Sequence, residues 1–217
     1  MSSRILSLSR ALAILALVAA AAAPARASIE RLDLAAIVAK SDAAIEGTIT
    51  RSRVLRVDDP KDGPELYFTF LTIEGRSLAD GAARTVEVFF AGGFIDARHG
   101  VFNSEAPAAD DVHVGNRIVA FYKHTENAGG GVAGNALYAA HGGLFRAFEA
   151  AQGTIVQGRG DGYALRSNVR LADLRSQVTE LARAKEERRD GTAPTPGAAP
   201  RTAPQVTPQP ATRKAQR

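Results

Sequence analysis

Ala43-Ala44-Ile45-Glu46-Gly47-Thr48-Ile49-Thr50-Arg51-Ser52-Arg53-Val54-Leu55-Arg56-Val57 is the stretch that decides the fold. Ile45, Gly47, Ile49, Leu55 and Val57 alternate with Glu46, Thr48, Thr50 and Ser52, so apolar and polar side chains leave an extended chain on opposite faces. This predicts a half-buried strand, long enough to bend. Downstream, Asp58-Asp59-Pro60-Lys61-Asp62-Gly63-Pro64 is a cluster of turn formers, and residues 66–73 resume as a β-branched and aromatic run. The two segments make a hairpin.

Further along, residues 85–90 alternate again until Gly92 and Gly93 stop them, and residues 117–122 form a later apolar run. Short strands are predicted at 136–140, 144–148, 154–156 and 163–165, separated by glycine-bearing turns. Between the third and fourth strands lies a long irregular loop, 94–116, with Pro107 and the pair Asp110-Asp111; loops of that length often carry function. Helical spacing occurs only at the ends. Residues 32–41 carry a short apolar stripe with Asp33 near its start, and Leu171, Leu174, Val178 and Leu181 recur every three or four residues within 171–188. That spacing leaves Arg175, Glu180, Lys185 and Glu187 on the solvent side. Because helices do not alternate with strands, the pattern fits a small barrel or sandwich better than a parallel α/β sheet. The pattern predicts a mainly β fold: a small antiparallel OB-like barrel or sandwich with a short N-terminal helix and a C-terminal amphipathic helix.

Two further segments flank this domain. Arg4 and Arg10, the apolar run 11–23 and Ala25-Arg26-Ala27 have the form of an export signal cleaved after Ala27. Thirteen apolar residues rise about 20 Å as a helix, short of the roughly 30 Å hydrocarbon core, so no membrane anchor is expected after cleavage. Residues 191–217 hold six of the ten prolines and almost no large apolar side chain, which predicts an extended, disordered tail. The expected plan is signal 1–27, one domain 28–190 and tail 191–217, in a periplasmic or secreted protein. The chain has no cysteine, so the domain must hold without disulfides.

The sequence pI of about 9.7 suggests a polyanionic partner until the charges are located. Residues 1–27 hold three arginines and no acid, and residues 191–217 hold four cations and no acid. Of the 27 basic and 23 acidic residues, 20 and 23 therefore remain in 28–190, a net of −3. Phosphate neutralisation needs a concentrated basic face, and this balance argues against nucleic acid.

No residue set dictates a reaction. His99, His113, His124 and His141 lie in different segments without metal-ligand spacing, and no cysteine completes a zinc set. Asp96, His99 and His113, all in the 94–116 loop, are the metal-ligand candidates if they converge in space. Gly129-Gly130-Gly131-Val132-Ala133-Gly134 formally matches a dinucleotide fingerprint, yet a strand follows it instead of a helix, so a hairpin loop is expected. Arg159-Gly160-Asp161 matches an adhesion tripeptide but sits where a turn needs positive φ. No nucleophile elbow or Ser-x-x-Lys set occurs, and the paired acids lie on adjacent residues that point apart in extended chain. Phe68, Phe70, Phe89 and Phe90 offer either core packing or a stacking face.

Ile45-Glu46-Gly47-Thr48-Ile49, the strand 67–73, the run 86–93 ending in Gly-Gly, Val114-Gly115-Asn116-Arg117-Ile118-Val119-Ala120-Phe121 and Gly142-Gly143-Leu144-Phe145 together resemble a group of uncharacterised exported bacterial proteins with a small OB-like β-barrel domain. The resemblance spans roughly residues 32–148 and implies the fold and the export, with no catalytic residues. Pro107 lies farther upstream here than the group's usual proline, and Asp110-Asp111 intervene.

The sequence thus favours a non-enzymatic binding module of the bacterial cell envelope over an enzyme, with no cofactor. A protein, peptide or glycan would be engaged through the 94–116 loop and the barrel face, with Phe94, Asp96, Arg98 and His99 as the binding candidates. The alternatives are a metal-dependent or unrecognised hydrolase with its site in the 94–116 loop, and a structural or assembly factor of the envelope.

Overall fold

The structure, a computed structural model, describes residues 32–58, 63 and 65–191. Residues 1–31, which include the expected export signal, most of the 58–64 turn and the proline-rich residues 192–217 lie outside the described residues.

The elements are α1 (Leu34–Lys40), β1 (Ala43–Val57), β2 (Leu66–Ser77), β3 (Ala83–Ala91), β4 (Gly93–Phe94), β5 (Gly100–Val101), β6 (Arg117–Thr125), β7 (Gly134–Leu137), β8 (Leu144–Ala150), β9 (Gly153–Val156), β10 (Val169–Arg170) and α2 (Leu171–Gly191). Strand β1 pairs with β2, β2 with β3, β3 with β7, β7 with β6, and β6 with β1 again, which closes a five-stranded barrel. Every pairing in the ring is antiparallel except β3 with β7. This is OB-type connectivity, and closure removes exposed strand edges from the ring. Past a 3-10 turn at Ala140–Gly143, β8 pairs with the first half of β6 and leads to β9 and β10 outside the barrel.

Strand β6 explains why the sequence is apolar without alternation there. Ile118, Ala120 and Tyr122 point into the barrel with Ile45, Ile49, Leu71, Ile73 and Val88. Val119 and Phe121 point outward into a second core made with α1, α2, β8 and β9. Both faces are buried. In that outer core Phe121 and Phe145 meet edge to face at 6.3 Å, a contact contributing about 0.5–1.5 kcal/mol beyond area burial.

The helices are joined to this core by polar contacts as well. The Asp33 side chain accepts from Ala36 N at 2.7 Å, so the early acid is the N-cap of α1. At the other end of α1, Lys185 Nζ donates to Ser41 O at 2.6 Å and Val38 O at 3.3 Å, placing a cation on the helix C-terminus. Arg175 reaches the buried Glu46 carboxylate at 2.8 Å, and Arg117 reaches the same carboxylate at 3.2 Å. Two side chains expected in solvent, Arg175 and Lys185, therefore tie α2 to the barrel and to α1.

Two further expectations need correction. Ile49 pairs with Ile73 but Arg51 with Thr72, so Thr50 is an extra residue in β1. A one-residue bulge exchanges the faces: Ile45 and Ile49 enter the barrel, whereas Leu55 and Val57 lie outside it opposite Phe68 and Leu66. The strand expected at 163–165 is a loop closed on itself, with Arg159 N donating to Leu165 O and Gly160 N to Arg166 O; the strand that pairs with β9 is Val169–Arg170.

Candidate functional site

Strand β3 ends at Ala91 because Gly92 and Gly93 take φ of 95° and 132°, which side-chain-bearing residues rarely adopt. A Cβ on Gly93 would stand 2.2 Å from Thr69 Oγ1, whose hydroxyl donates to Gly92 O at 2.7 Å. This close approach swings β4 across the barrel mouth. Strand β4 pairs with β5 through Gly93↔Val101 and Phe94↔Gly100, forming a small hairpin apart from the main sheet. Its tip is an Asx turn. Asp96 Oδ1 accepts from Arg98 N at 2.8 Å and His99 N at 3.0 Å, and His99 Nδ1 lies 2.8 Å from Asp96 Oδ2. The His99 contact and the Arg98 N–H hold the Asp96 carboxyl below its ordinary pKa.

The return path is anchored by Asn103. Its Nδ2 donates to Ala91 O at 2.9 Å and its Oδ1 accepts from Glu105 N at 3.0 Å. Beyond it, Ala106 and Val112 pack against the barrel core, with a 3-10 turn at Ala109–Asp111 between them. The ends of the loop are thus fixed while the hairpin stands out. Phe94, Ile95 and Val101 are about half exposed, and Phe102 is 79% exposed.

Phe102 is the ridge between two clefts. One, of about 530 Å³, opens at the barrel mouth among Phe90, Phe94, Phe102, Pro107, Val112 and Arg159. The other, of about 420 Å³, lies among Leu66, Tyr67, Phe68, Ala91 and Phe102, with Glu65 at its rim. Tyr67 donates to Glu65 at 2.9 Å, which lowers the Glu65 pKa and raises that of Tyr67. Barrel mouths with apolar walls and a few polar groups are common ligand sites.

A third cleft, about 680 Å³, adjoins the first through His141 and is lined by Tyr138, Ala139, Asp161 and Tyr163. His141 N donates to Glu105 O at 2.9 Å, and Nδ1 lies 3.0 Å from the same carbonyl. A carbonyl only accepts, so Nδ1 donates to it, and Nε2 lies 3.0 Å from Tyr163 Oη. With both nitrogens engaged, His141 braces three segments. Ala139 and Ala140, at φ 53° and 48°, carry left-handed strain at this brace and end β7 earlier than the expected 136–140 strand. Arg159, paired with Asp111, adds a second tie between the 157–168 loop and the mouth loop.

The candidates from the sequence separate accordingly. Phe94, Asp96, Arg98 and His99 share the hairpin; Asp96 and His99 meet, whereas His113 does not join them. Among the described residues no three His, Cys, Asp or Glu side chains form a cluster fit for a metal ion. The glycine run is the β6–β7 connection, where Asn127 Oδ1 accepts from Gly129 N and Gly131 N. Arg159-Gly160-Asp161 is a turn with Gly160 at φ 90°, its arginine held by Asp111 and its aspartate by Arg166. Phe68, Phe70 and Phe89 are packed together under Val132, and Arg53 Cζ stands 4.0 Å over the Phe70 ring. Phe90 faces the barrel core. None of the four is open for base stacking. Val101, Phe102 and Tyr163 were not singled out in the sequence, and His141 only as one of four scattered histidines; for Val101 and Phe102 the accessible signal was apolar residues inside an otherwise polar, irregular loop.

Comparison with known protein families, with curated proteins and with solved structures gives no match. Among the described residues no helix is long and apolar enough to cross a membrane.

Proposed function

We propose that this chain is an exported binding module of the bacterial cell envelope, and that the 94–116 loop at the barrel mouth engages a protein, most directly an apolar peptide segment. The observation that carries this reading is the hairpin itself: Phe94, Ile95, Val101 and Phe102 face solvent beside two clefts on a loop with fixed ends. Exposed apolar patches on an otherwise covered domain mark interaction sites. Export supports an envelope partner, as does the resemblance of the segment order to exported OB-like proteins.

The glycan reading is less well supported, because a sugar needs many polar partners and the side chains of Thr69, Asn103, His141 and Arg159 in this cleft already bond within the protein. A photo-crosslinking amino acid placed at position 102 tests the proposal against the same probe at Phe148, which is 44% exposed on β8. Capture of one reproducible envelope component from 102 and not from 148 is the expected result. Identical adducts from both positions, or none from 102, would rule out the loop as the binding surface.

A further inference from the structure

The loop's charge points to an occupant. Residues 92–116 hold Asp96, Glu105, Asp110 and Asp111 against Arg98, a net of −3 with histidines neutral. That equals the net charge of the whole 28–190 region, so the rest of the domain is balanced and its excess negative charge is gathered beside the exposed hairpin. Glu105 and Asp110 stand exposed in this loop. Residues 192–217 carry the opposite sign, with Arg201, Arg213, Lys214 and Arg217 and no acid.

The same segment has the right shape chemistry. Pro196, Pro200, Pro204 and Pro208 recur every four residues, with Pro194 and Pro210 outside them and alanine, threonine and Val206 between. Such sequences favour the polyproline II helix, which loses little entropy on docking into grooves walled by aromatic rings and proline. Phe94, Phe102 and Pro107 wall this one. Length is sufficient. Strand β2 runs from the mouth at Thr69 toward α2, whose Thr179 bonds Leu78 O and Ala79 O just beyond the strand. Thr69 to Ser77 spans about 27 Å and α2 rises about 18 Å from Thr179 to Gly191, so the tail has up to about 45 Å to cross, which residues 192–206 span as polyproline II.

We infer that the distal part of the chain's own proline-rich segment, residues 206–217, occupies the groove beside Phe102 as an intramolecular ligand, with its arginines and lysine against the acidic loop. The inference rests on the reading of the mouth as a binding surface and adds its regulation: an envelope partner must displace a resident segment of matching chemistry.

The absence of native cysteine makes the test direct. Ala203→Cys in the full chain from Ser28 gives a single site for a nitroxide label, and paramagnetic broadening is read on backbone amides. Broadening confined to the 94–109 region is expected at low salt. Its loss is expected near 1 M salt, where the Debye length falls to about 3 Å from about 10 Å at 0.1 M. It should also vanish in Phe102→Ser, whose unchanged barrel resonances report an intact fold. Broadening that is absent, spread over the surface, or unaffected by Phe102→Ser overturns the inference. So does broadening that appears only between labelled and unlabelled chains in a mixture, which would make the occupant a second copy. A full-length variant with the four tail cations replaced by serine should crosslink its partner more strongly from position 102. If that capture persists while the broadening is absent, only the intramolecular ligand fails; if capture is absent in both chains, the binding reading fails.

Discussion

Replacing Glu46 by glutamine tests how α2 is held to the barrel. Glu46 is 5% exposed on the outer face of β1, and its carboxylate accepts from Arg175 Nη2 at 2.8 Å and Arg117 Nη2 at 3.2 Å. Glutamine keeps the shape, but its amide nitrogen then turns a donor toward a guanidinium that also only donates. A hydrogen bond to a charged group contributes about 1.5–3 kcal/mol. Both arginine side chains are more than a third exposed, which places each contribution near the low end. Arg117 also keeps Glu149 and Thr154, whereas Arg175 already has a buried Nε–H without a partner among the described residues. The expected cost of Glu46→Gln is about 2 kcal/mol, a fall in Tm of about 4–8 °C for a domain of this size. Urea unfolding followed by circular dichroism measures it, with the m value unchanged. A cycle with Arg175→Met should show coupling of about 1 kcal/mol, since both changes remove one bond. A cost below about 0.5 kcal/mol, or strict additivity, would show that α2 is held by its apolar face alone.

Four other outcomes are expected. Asp80 is held at a pKa of about 2, against an ordinary 3.8, by the Ala82 N–H first and then by Ser77 and Arg84. Its stabilisation is present above 3.8 and lost as pH falls through about 2, so Asp80→Asn should flatten the Tm-versus-pH curve across that window. Ala139→Gly should raise stability by about 0.5 kcal/mol, because relief of about 1–2 kcal/mol of left-handed strain exceeds the added unfolded-chain entropy; a lower Tm would contradict this. Gly75 faces Gly47 across β1–β2, and a Cβ there would meet Glu46 O at 1.9 Å, so Gly75→Ala should cost at least about 3 kcal/mol in the same urea assay. Phe102→Ser should change stability by less than about 0.5 kcal/mol while abolishing the position-specific broadening; a large loss of stability would make Phe102 a packing residue.

The barrel was legible because its strands are long and its helix stripe periodic: β1 has the bounds that alternation alone assigns, and Leu171, Leu174 and Val178 are buried as their spacing requires. The exchange of faces at Thr50 was not legible, because a bulge is set by the partner strand's register and leaves no mark on composition. The same limit applies to the 163–165 segment. Its apolar residues are buried by loop closure, so Leu165 is in the core without being in a strand. The site was half legible. Length and irregularity drew attention to 94–116, yet His141 and Tyr163 reach it from other segments through contacts that no spacing encodes.

The two aromatic groups of this protein argue against an accidental patch at the mouth. An OB-type barrel ordinarily offers its β2–β3 face to ligands. Here that face carries Phe68, Phe70 and Phe89, and all three are covered by Val132 of the β6–β7 loop, by Val57 and Leu66, and by Arg53, itself held by Glu87 at 2.8 Å. The fold therefore supplies cover for aromatic side chains where they stack on the barrel wall. Phe94 and Phe102 have no such cover, although the backbone that bears them is tied down by Thr69, Asn103 and the Asp96 turn. A hairpin fixed at its base and apolar at its surface loses little conformational entropy when a partner covers it. On the proposed reading the ligand face lies at the barrel mouth instead of on the barrel wall, and the acidic loop there, in place of a basic groove, selects the partner's charge.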